Sequence, residues 1–274
     1  MLELNGINVI SENERHGKPR NLFWPWMAGN VSLLALSYGS FFLGYGISFW
    51  QATAAAILGT VGSFTLVAIS SLAGKKSNAP TMTLSRAIFG VKGNIVPGFL
   101  SYLIFVGWET VLVSLATLAT GTVFTEFGHI NKNLAEFIGF LFAAGLTIVS
   151  GVLGFKLIMQ IQRWITIATL FLSVGYVLLT LDKINLSAVK SLPTGNGTGF
   201  IGALIFGVIG IGLGWVNSAA DYSRYLPRNS SSRAVIGWTI FGASSVPILM
   251  VIYGSLLAAS SKTLNDAISA DPIG

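Results

Sequence analysis

Long uncharged runs organise the chain, and the charges between them mark where it leaves an apolar medium. From Arg20 to Lys75 there are 54 residues without a charge. A membrane-crossing helix needs about 20 apolar residues, so this run holds two helices and a tight turn, which Gly44, Gly46 and Ser48 place near 46–50. Lys92 to Lys132 carries only Glu109 and Glu126 and predicts one long helix over 95–124. Four further runs lie between Glu136 and Lys156, Arg163 and Asp182, Lys190 and Asp221, and Arg233 and Lys262. The pattern predicts seven spans, near 23–46, 50–73, 95–124, 135–155, 164–181, 200–220 and 235–259. Continuous apolar runs without alternation favour helices over a β-barrel.

Composition agrees. Of 274 residues, 9% are charged and 53% hydrophobic, and the mean hydropathy is +0.72. A water-soluble fold cannot cover itself with so few charges, which excludes an ordinary soluble enzyme, a disordered chain and a nucleic-acid-binding domain. The net charge of +6 has a topological reading. With seven spans, twelve of the sixteen Lys and Arg residues fall on the amino-terminal side, leaving Lys132, Lys183, Lys190 and Lys262 opposite. Basic loops face the cytoplasm, so residues 1–22 form a cytoplasmic segment, and 260–274 an extracytoplasmic loop at which the chain stops. The expected location is the plasma or inner membrane. The polar, mixed-charge start carries no signal-peptide pattern. With no Cys, and with His16 and His129 far apart, no metal site is expected. No ATP-binding glycine-rich loop occurs, nor any Ser/His/Asp constellation, so no enzyme and no cofactor are expected.

Polar features inside the spans carry the candidate chemistry. Span 1 reads Ala35-Leu-Ser-Tyr-Gly-Ser40, and span 6 has glycine at 207, 210, 212 and 214. Two interrupted helices five spans apart point to an inverted-repeat transporter with a midplane site; close packing through small residues is the alternative. Glu109 lies halfway through span 3, where a carboxylate costs about 2.5–3.5 kcal/mol on insertion scales. It either binds a ligand N–H, carries a proton or bonds between helices. Phe105, Trp108, Glu109 and Leu112 have helical spacing, and an indole beside an acid suits a flat heteroaromatic ligand. Trp215 and Asn217 follow the glycines of span 6. Asp221 and Arg224, three apart, read as an ion pair or gate element. Arg86, Lys92 and Arg163 read as cytoplasmic anchors, and Trp24 and Trp26 as an interfacial belt.

Local strings resemble a known family. Glu14-Arg-His-Gly-Lys-Pro-Arg20 with Leu22, Phe23, Trp26 and Asn30, Ser85-Arg-Ala-Ile-Phe-Gly-Val-Lys-Gly-Asn94 with Pro97, Gly107-Trp108, and Ala219-Ala-Asp-Tyr-Ser-Arg-Tyr-Leu-Pro-Arg228 are similar to the nucleobase:cation symporter-1 family, in its purine–cytosine permease branch. The resemblance implies an all-α integral membrane protein with the LeuT-like inverted-repeat transporter fold. The fold would be incomplete, with the first five-helix repeat plus two helices of the second. It implies uptake of a nucleobase-like compound, cytosine or a purine foremost, coupled to H+ or Na+ by alternating access. Alternatives are an allantoin, hydantoin or thiamine-type permease, or a fragment without transport. By resemblance the ligand stacks on Trp108 and on an aromatic of span 6, for which Trp215 is available. Ser37 and Gly39 would lie at the span 1 break, with Tyr38 at half of a cation site whose other half lies beyond Gly274. Where the family often has an amide, this chain has Leu112, and Glu109 would take the polar role. Arg86, Asp221 and Arg224 would be gating or structural residues.

Overall fold

A computed structural model describes residues 5–270. The elements run α1 (Phe23–Ala28), α2 (Leu34–Leu43), α3 (Phe49–Ser77), α4 (Thr81–Leu84), α5 (Arg86–Gly93), α6 (Ile95–Glu126), α7 (Lys132–Thr180), α8 (Leu186–Ser191), α9 (Gly197–Gly207), α10 (Ala219–Ser223), α11 (Ser232–Ser260) and α12 (Lys262–Ala270). Among the described residues, six stretches are long and apolar enough to cross a membrane: Phe49–Ser77, Ile95–Glu126, Lys132–Val152, Ile158–Lys183, Gly197–Ser223 and Ser232–Ser260. The broken pair α1 and α2 supplies the remaining expected span. The chain divides into two compact units, one of Ser85–Ile161 with residues 5 and 6, the other of Ile7–Leu84 with residues 162–270.

Three expectations about boundaries change. The backbone is helical from Lys132 through Thr180, where a loop was expected between spans 4 and 5. The intervening Lys-Leu-Ile-Met-Gln-Ile-Gln-Arg holds no glycine or proline and is rich in helix formers, so charge alone marks the membrane boundary there. Residues 262–270, expected as loop, form α12. Ser261 caps it by accepting from Leu264 N at 3.1 Å, and Ile268 is buried. Residues 271–274 of that expected loop lie outside the described residues. The third change is the span 1 break, which falls at residues 29–33, between α1 and α2. Ser37, Tyr38 and Gly39, expected at the break, lie inside α2 instead.

In the larger unit, small residues let helices meet backbone to backbone, as in membrane bundles where lipid is as apolar as leucine. A Cβ on Gly39 would strike the backbone of Gly254 and Ser255, and one on Gly254 the backbone of Leu36. These two glycines therefore set the approach of α2 to α11. Likewise a Cβ on Gly59 of α3 would lie 2.9 Å from Gly207 Cα. The turn between α2 and α3 is fixed by Gly46, whose φ of +67° suits glycine. It ends in a capping box: Ser48 Oγ accepts from Gln51 N at 3.3 Å, and Gln51 Oε1 from Ser48 N at 3.0 Å.

The amino-terminal segment straps the ends of these helices together. Arg15 is buried. Its Nε donates to Leu226 O at 2.8 Å and its Nη2 to Lys75 O at 2.5 Å. One guanidinium thus ties the end of α3 to the loop after α10. Ile10 and Asn78 are doubly bonded, Ile10 N to Asn78 O at 2.9 Å and Asn78 Nδ2 to Ile10 O at 3.0 Å. Asn78 caps α3 in the left-handed region, at φ 64°. Glu12 accepts from Asn78 Nδ2 and pairs with Arg15 and Arg228. Those groups, the Asn78 bond foremost, hold its carboxyl below the usual range. Lys75 Nζ in turn donates to Ser230 O and Ser232 Oγ.

In the smaller unit, α6 and the first part of α7 meet tightly at one end. A Cβ on Gly121 would lie 2.5 Å from Glu136 Cγ, and one on Gly139 2.7 Å from Thr120 Cβ. Gly90 kinks α5 at φ 69°, ψ 170°, a conformation that accounts for the glycine of the Ser85–Asn94 string.

Replacing Arg15 by Ala strands two buried carbonyls at once and is expected to cost on the order of 3 kcal/mol. Arg15→Lys is expected to recover less than half, because a point charge cannot bridge both acceptors. Thermal unfolding of the purified protein, with trypsin cleavage after Arg20, measures this. Unchanged melting and unchanged cleavage would refute the strap.

Candidate functional site

Two irregular segments of the larger unit meet. The first is the break in span 1. Gly29 N donates to Pro25 O at 3.1 Å, Val31 N donates to Met27 O at 2.8 Å, and Asn30 Nδ2 donates back to Trp26 O at 2.8 Å. Ser32 Oγ then accepts from Leu34 N at 3.2 Å, starting α2. Gly-Asn followed by a serine cap is a stop-and-restart signal, which a reading of the break from residues 35–40 passes over.

The second is span 6, where α9 passes into a π-helical turn over Val208–Gly212 and a 3₁₀ stretch over Leu213–Ser218 before α10. Helix geometry changes here as the glycines predicted. The packing alternative also holds: a Cβ on Gly212 would collide with Ser63, whereas Gly214 has open space. Single π turns inside helices are frequent at functional sites.

Trp215 joins the two segments. A Cβ on Gly29 would lie 3.1 Å from the Trp215 ring, so the indole rests on the first residue of the break. Trp26 meets Trp215 edge to face, with centroids 6.0 Å apart and planes at 81°, and meets Tyr222 at 5.5 Å. Trp26, expected in an interfacial belt, is instead a core residue, 1% exposed, and its indole Nε1 has no hydrogen-bond partner. Trp24 lies under the Arg163 guanidinium at 5.4 Å. Asn217 falls in the 3₁₀ stretch, two residues after Trp215.

Other expected site residues take different places. Ser37 Oγ donates to Ile268 O at 2.7 Å, Gly39 packs on α11, and the Tyr38 ring stands edge to face with Phe206 at 5.9 Å. All three are held in interhelical contacts one turn past the break. Asp221 Oδ1 accepts from Thr81 N at 2.8 Å and Thr81 Oγ1 at 3.0 Å. Arg224 donates to the Tyr225 hydroxyl at 3.1 Å. Asp221 thus joins α10 to the start of α4, through a partner that spacing along one helix could not reveal, with Arg224 still within its electrostatic reach. Arg86 is exposed at the start of α5.

In the smaller unit, Glu109 lines a groove between α6 and α7 of about 520 Å³, with Val106, Thr110, Val113, Thr117 and Thr147 among its walls. Trp108, 44% exposed, does not line it. The shared face expected for Trp108 and Glu109 is therefore split: the carboxylate faces span 4 while the indole projects elsewhere, as the turn of about 100° between adjacent helical positions requires.

Residues 9–272 match the family described as permease for cytosine/purines, uracil, thiamine, allantoin. The chain belongs to this family. It is a family of transporters, not enzymes. Curated relatives include YxlA of Bacillus subtilis, named among the purine-cytosine permeases, 28% identical over 94% of this chain and 55% of its own length. Purine-cytosine permease FCY22 of Saccharomyces cerevisiae is 26% identical, over 96% of this chain and 49% of its own length. The chain thus spans about half the length of the relatives it matches. Among solved structures, Mhp1, a nucleobase-cation-symport-1 family transporter in a closed conformation with bromovinylhydantoin bound, covers 97% of this chain and 61% of its own, at TM-score 0.79 and 19% identity. The fold of this chain is therefore the LeuT-like transporter fold over the part that it spans, and the protein is a multi-pass membrane protein.

If Asp221 serves as an acceptor for Thr81, Asp221→Asn keeps one acceptor oxygen and costs under about 1 kcal/mol, whereas Asp221→Ala costs about 2 kcal/mol. An ion-pair role would make the two equally damaging. Thermal unfolding of both variants separates these outcomes.

Proposed function

We propose that this chain forms part of a secondary transporter that imports a nucleobase or related planar heterocycle, cytosine or a purine foremost, coupled to H+ or another cation. The observation that carries the reading is the Trp215 indole resting on the span 1 break, with Trp26 set edge-on behind it. A flat π-face beside main chain released from helical bonding offers what a nucleobase needs, a surface for stacking and N–H and C=O groups for its edges. The names of the relatives, purine-cytosine permeases, support the substrate class. Asn217, in the same irregular stretch as Trp215, adds a candidate amide. Ser37, Gly39 and Tyr38 then act by holding α2 in place. A hydantoin or allantoin as substrate is the second reading, favoured by the bromovinylhydantoin bound to Mhp1.

Uptake of radiolabelled cytosine, adenine and hypoxanthine into cells expressing the chain tests this. Stacking is worth about 1–3 kcal/mol per base, so Trp215→Ala is expected to lower uptake at low substrate by on the order of tenfold, and Trp215→Phe by far less. Competition by allantoin or hydantoin but not by any nucleobase would favour the second reading. Equal uptake by Trp215→Ala and the parent would remove Trp215 from the site.

The amino terminus is proposed to face the cytoplasm, on the strength of the twelve-to-four division of basic residues. Because the chain has no cysteine, single substitutions report cleanly. Ser11→Cys is expected to resist an impermeant maleimide in intact cells, and Ser187→Cys to react; the reverse result would invert the topology.

A further inference from the structure

We infer that Glu109 is a proton-binding site reached along a water-filled row of hydroxyls between α6 and α7, on a separate face from Trp108. The inference rests on the reading of the chain as a cation-coupled permease, and it names the ion and its residue.

The groove that Glu109 lines contains the hydroxyls of Thr110, Ser114, Thr117 and Thr147 and, among the described residues, no other charged side chain. Three of these hydroxyls have their hydrogen committed to the helix: Thr110 to Val106 O at 2.8 Å, Thr117 to Val113 O at 2.8 Å, and Thr147 to Ala143 O at 3.0 Å. What they present to the groove is therefore lone pairs. A carboxylate and a row of acceptors favour a species that brings hydrogen, and water held by its own O–H groups fits a groove of about 520 Å³.

The oxygens do not suit a metal ion. From Glu109 to Thr117 the helix rises about 12 Å, while the ligands of a bound sodium- or calcium-sized ion must converge to within about 2.3–2.6 Å of one point. They suit a file of waters instead. The row Thr110, Ser114, Thr117 continues at helical spacing through Gly121 to Thr125, whose buried hydroxyl lacks a partner. Glu136 of α7 sits against Gly121 at that end and pairs with Lys132 at 3.8 Å. Glu136, Lys132, Glu126 and His129 are thus the titratable groups at the mouth, and among the described residues no cation lines the groove beside Glu109.

The step balances simply. A hydronium in the file gives its proton to a Glu109 carboxylate oxygen, leaving water and a neutral carboxyl, and release reverses it. A neutral acid at mid-span is far cheaper to hold in an apolar setting than a carboxylate, so loading and unloading change the stability of whichever conformation exposes the groove.

The test has two arms. In the first, the purified chain is treated with dicyclohexylcarbodiimide, which reacts with protonated carboxyls in apolar surroundings, and adducts are mapped by mass spectrometry. An adduct on Glu109 whose yield falls as the pH is raised is expected. No adduct, or one independent of pH, overturns the proposal. In the second, uptake is compared with and without an inward proton gradient. A one-unit gradient can drive up to about tenfold accumulation, and Glu109→Gln is expected to abolish that dependence. A gradient dependence that survives in Glu109→Gln overturns the proposal. A parent chain that transports no heterocycle removes the functional reading, while the labelling arm still decides the proton site.

Discussion

A backbone that leaves the helix inside a membrane must find partners within the protein, because hydrocarbon offers none. That constraint governs the larger unit. Span 1 stops at Gly29 and restarts at Leu34, and span 6 passes through π and 3₁₀ turns between Val208 and Ser218. Neither irregularity faces outward alone. Asn30 returns a side-chain bond to Trp26 O, Ser32 accepts from Leu34 N, and Trp215 of the second segment covers Gly29 of the first. The two breaks are mutually sheltered, and the space between them is where main-chain groups and an aromatic surface coincide.

Shelter of this kind requires rigid surroundings, and here glycine and serine supply them. Gly39 and Gly254 bring α2 against α11, Gly59 and Gly207 bring α3 against α9, and Ser71 Oγ donates to Ala219 O at 2.7 Å. These contacts fix the helices on either side of the breaks without occupying the space between them. The strap built on Arg15 and Asn78 performs the same service outside the apolar zone, where polar bonds to carbonyls of Lys75 and Leu226 replace backbone packing.

Much of this was legible in the sequence because membranes impose coarse rules. Span number followed from charge spacing, the tight turn from Gly46 and Ser48, and the irregular span 6 from its four glycines. The misplaced features share a cause: each depended on a contact distant in sequence. Gly39 looked like a break because glycine weakens helices, yet its lost Cβ serves contact with Gly254, some two hundred positions away. Trp26 looked interfacial from its place near the start of a span, yet it is enclosed by Trp215 and Tyr222. Asp221 looked like a partner for Arg224 because they lie one turn apart, and Thr81, which donates to it from a distant part of the chain, was invisible.

The separation of Glu109 from Trp108 bears on coupling. A carboxylate lying against a stacked ligand would be forced to serve as its hydrogen-bond acceptor, and its protonation would then rise and fall with ligand affinity at one site. Adjacent positions on a helix diverge by about 100°, so the same segment of α6 presents an aromatic face in one direction and an acidic groove in another. In the proposed reading, the proton site and the ligand site share no contact surface. Linkage then operates through the conformations that α6 shares with its neighbours, since each bound species shifts the equilibrium only by its differential affinity for the two states. Such an arrangement couples two events without contact between them. It also accounts for an acid being kept at a depth where every other position from Lys92 to Glu126 is uncharged.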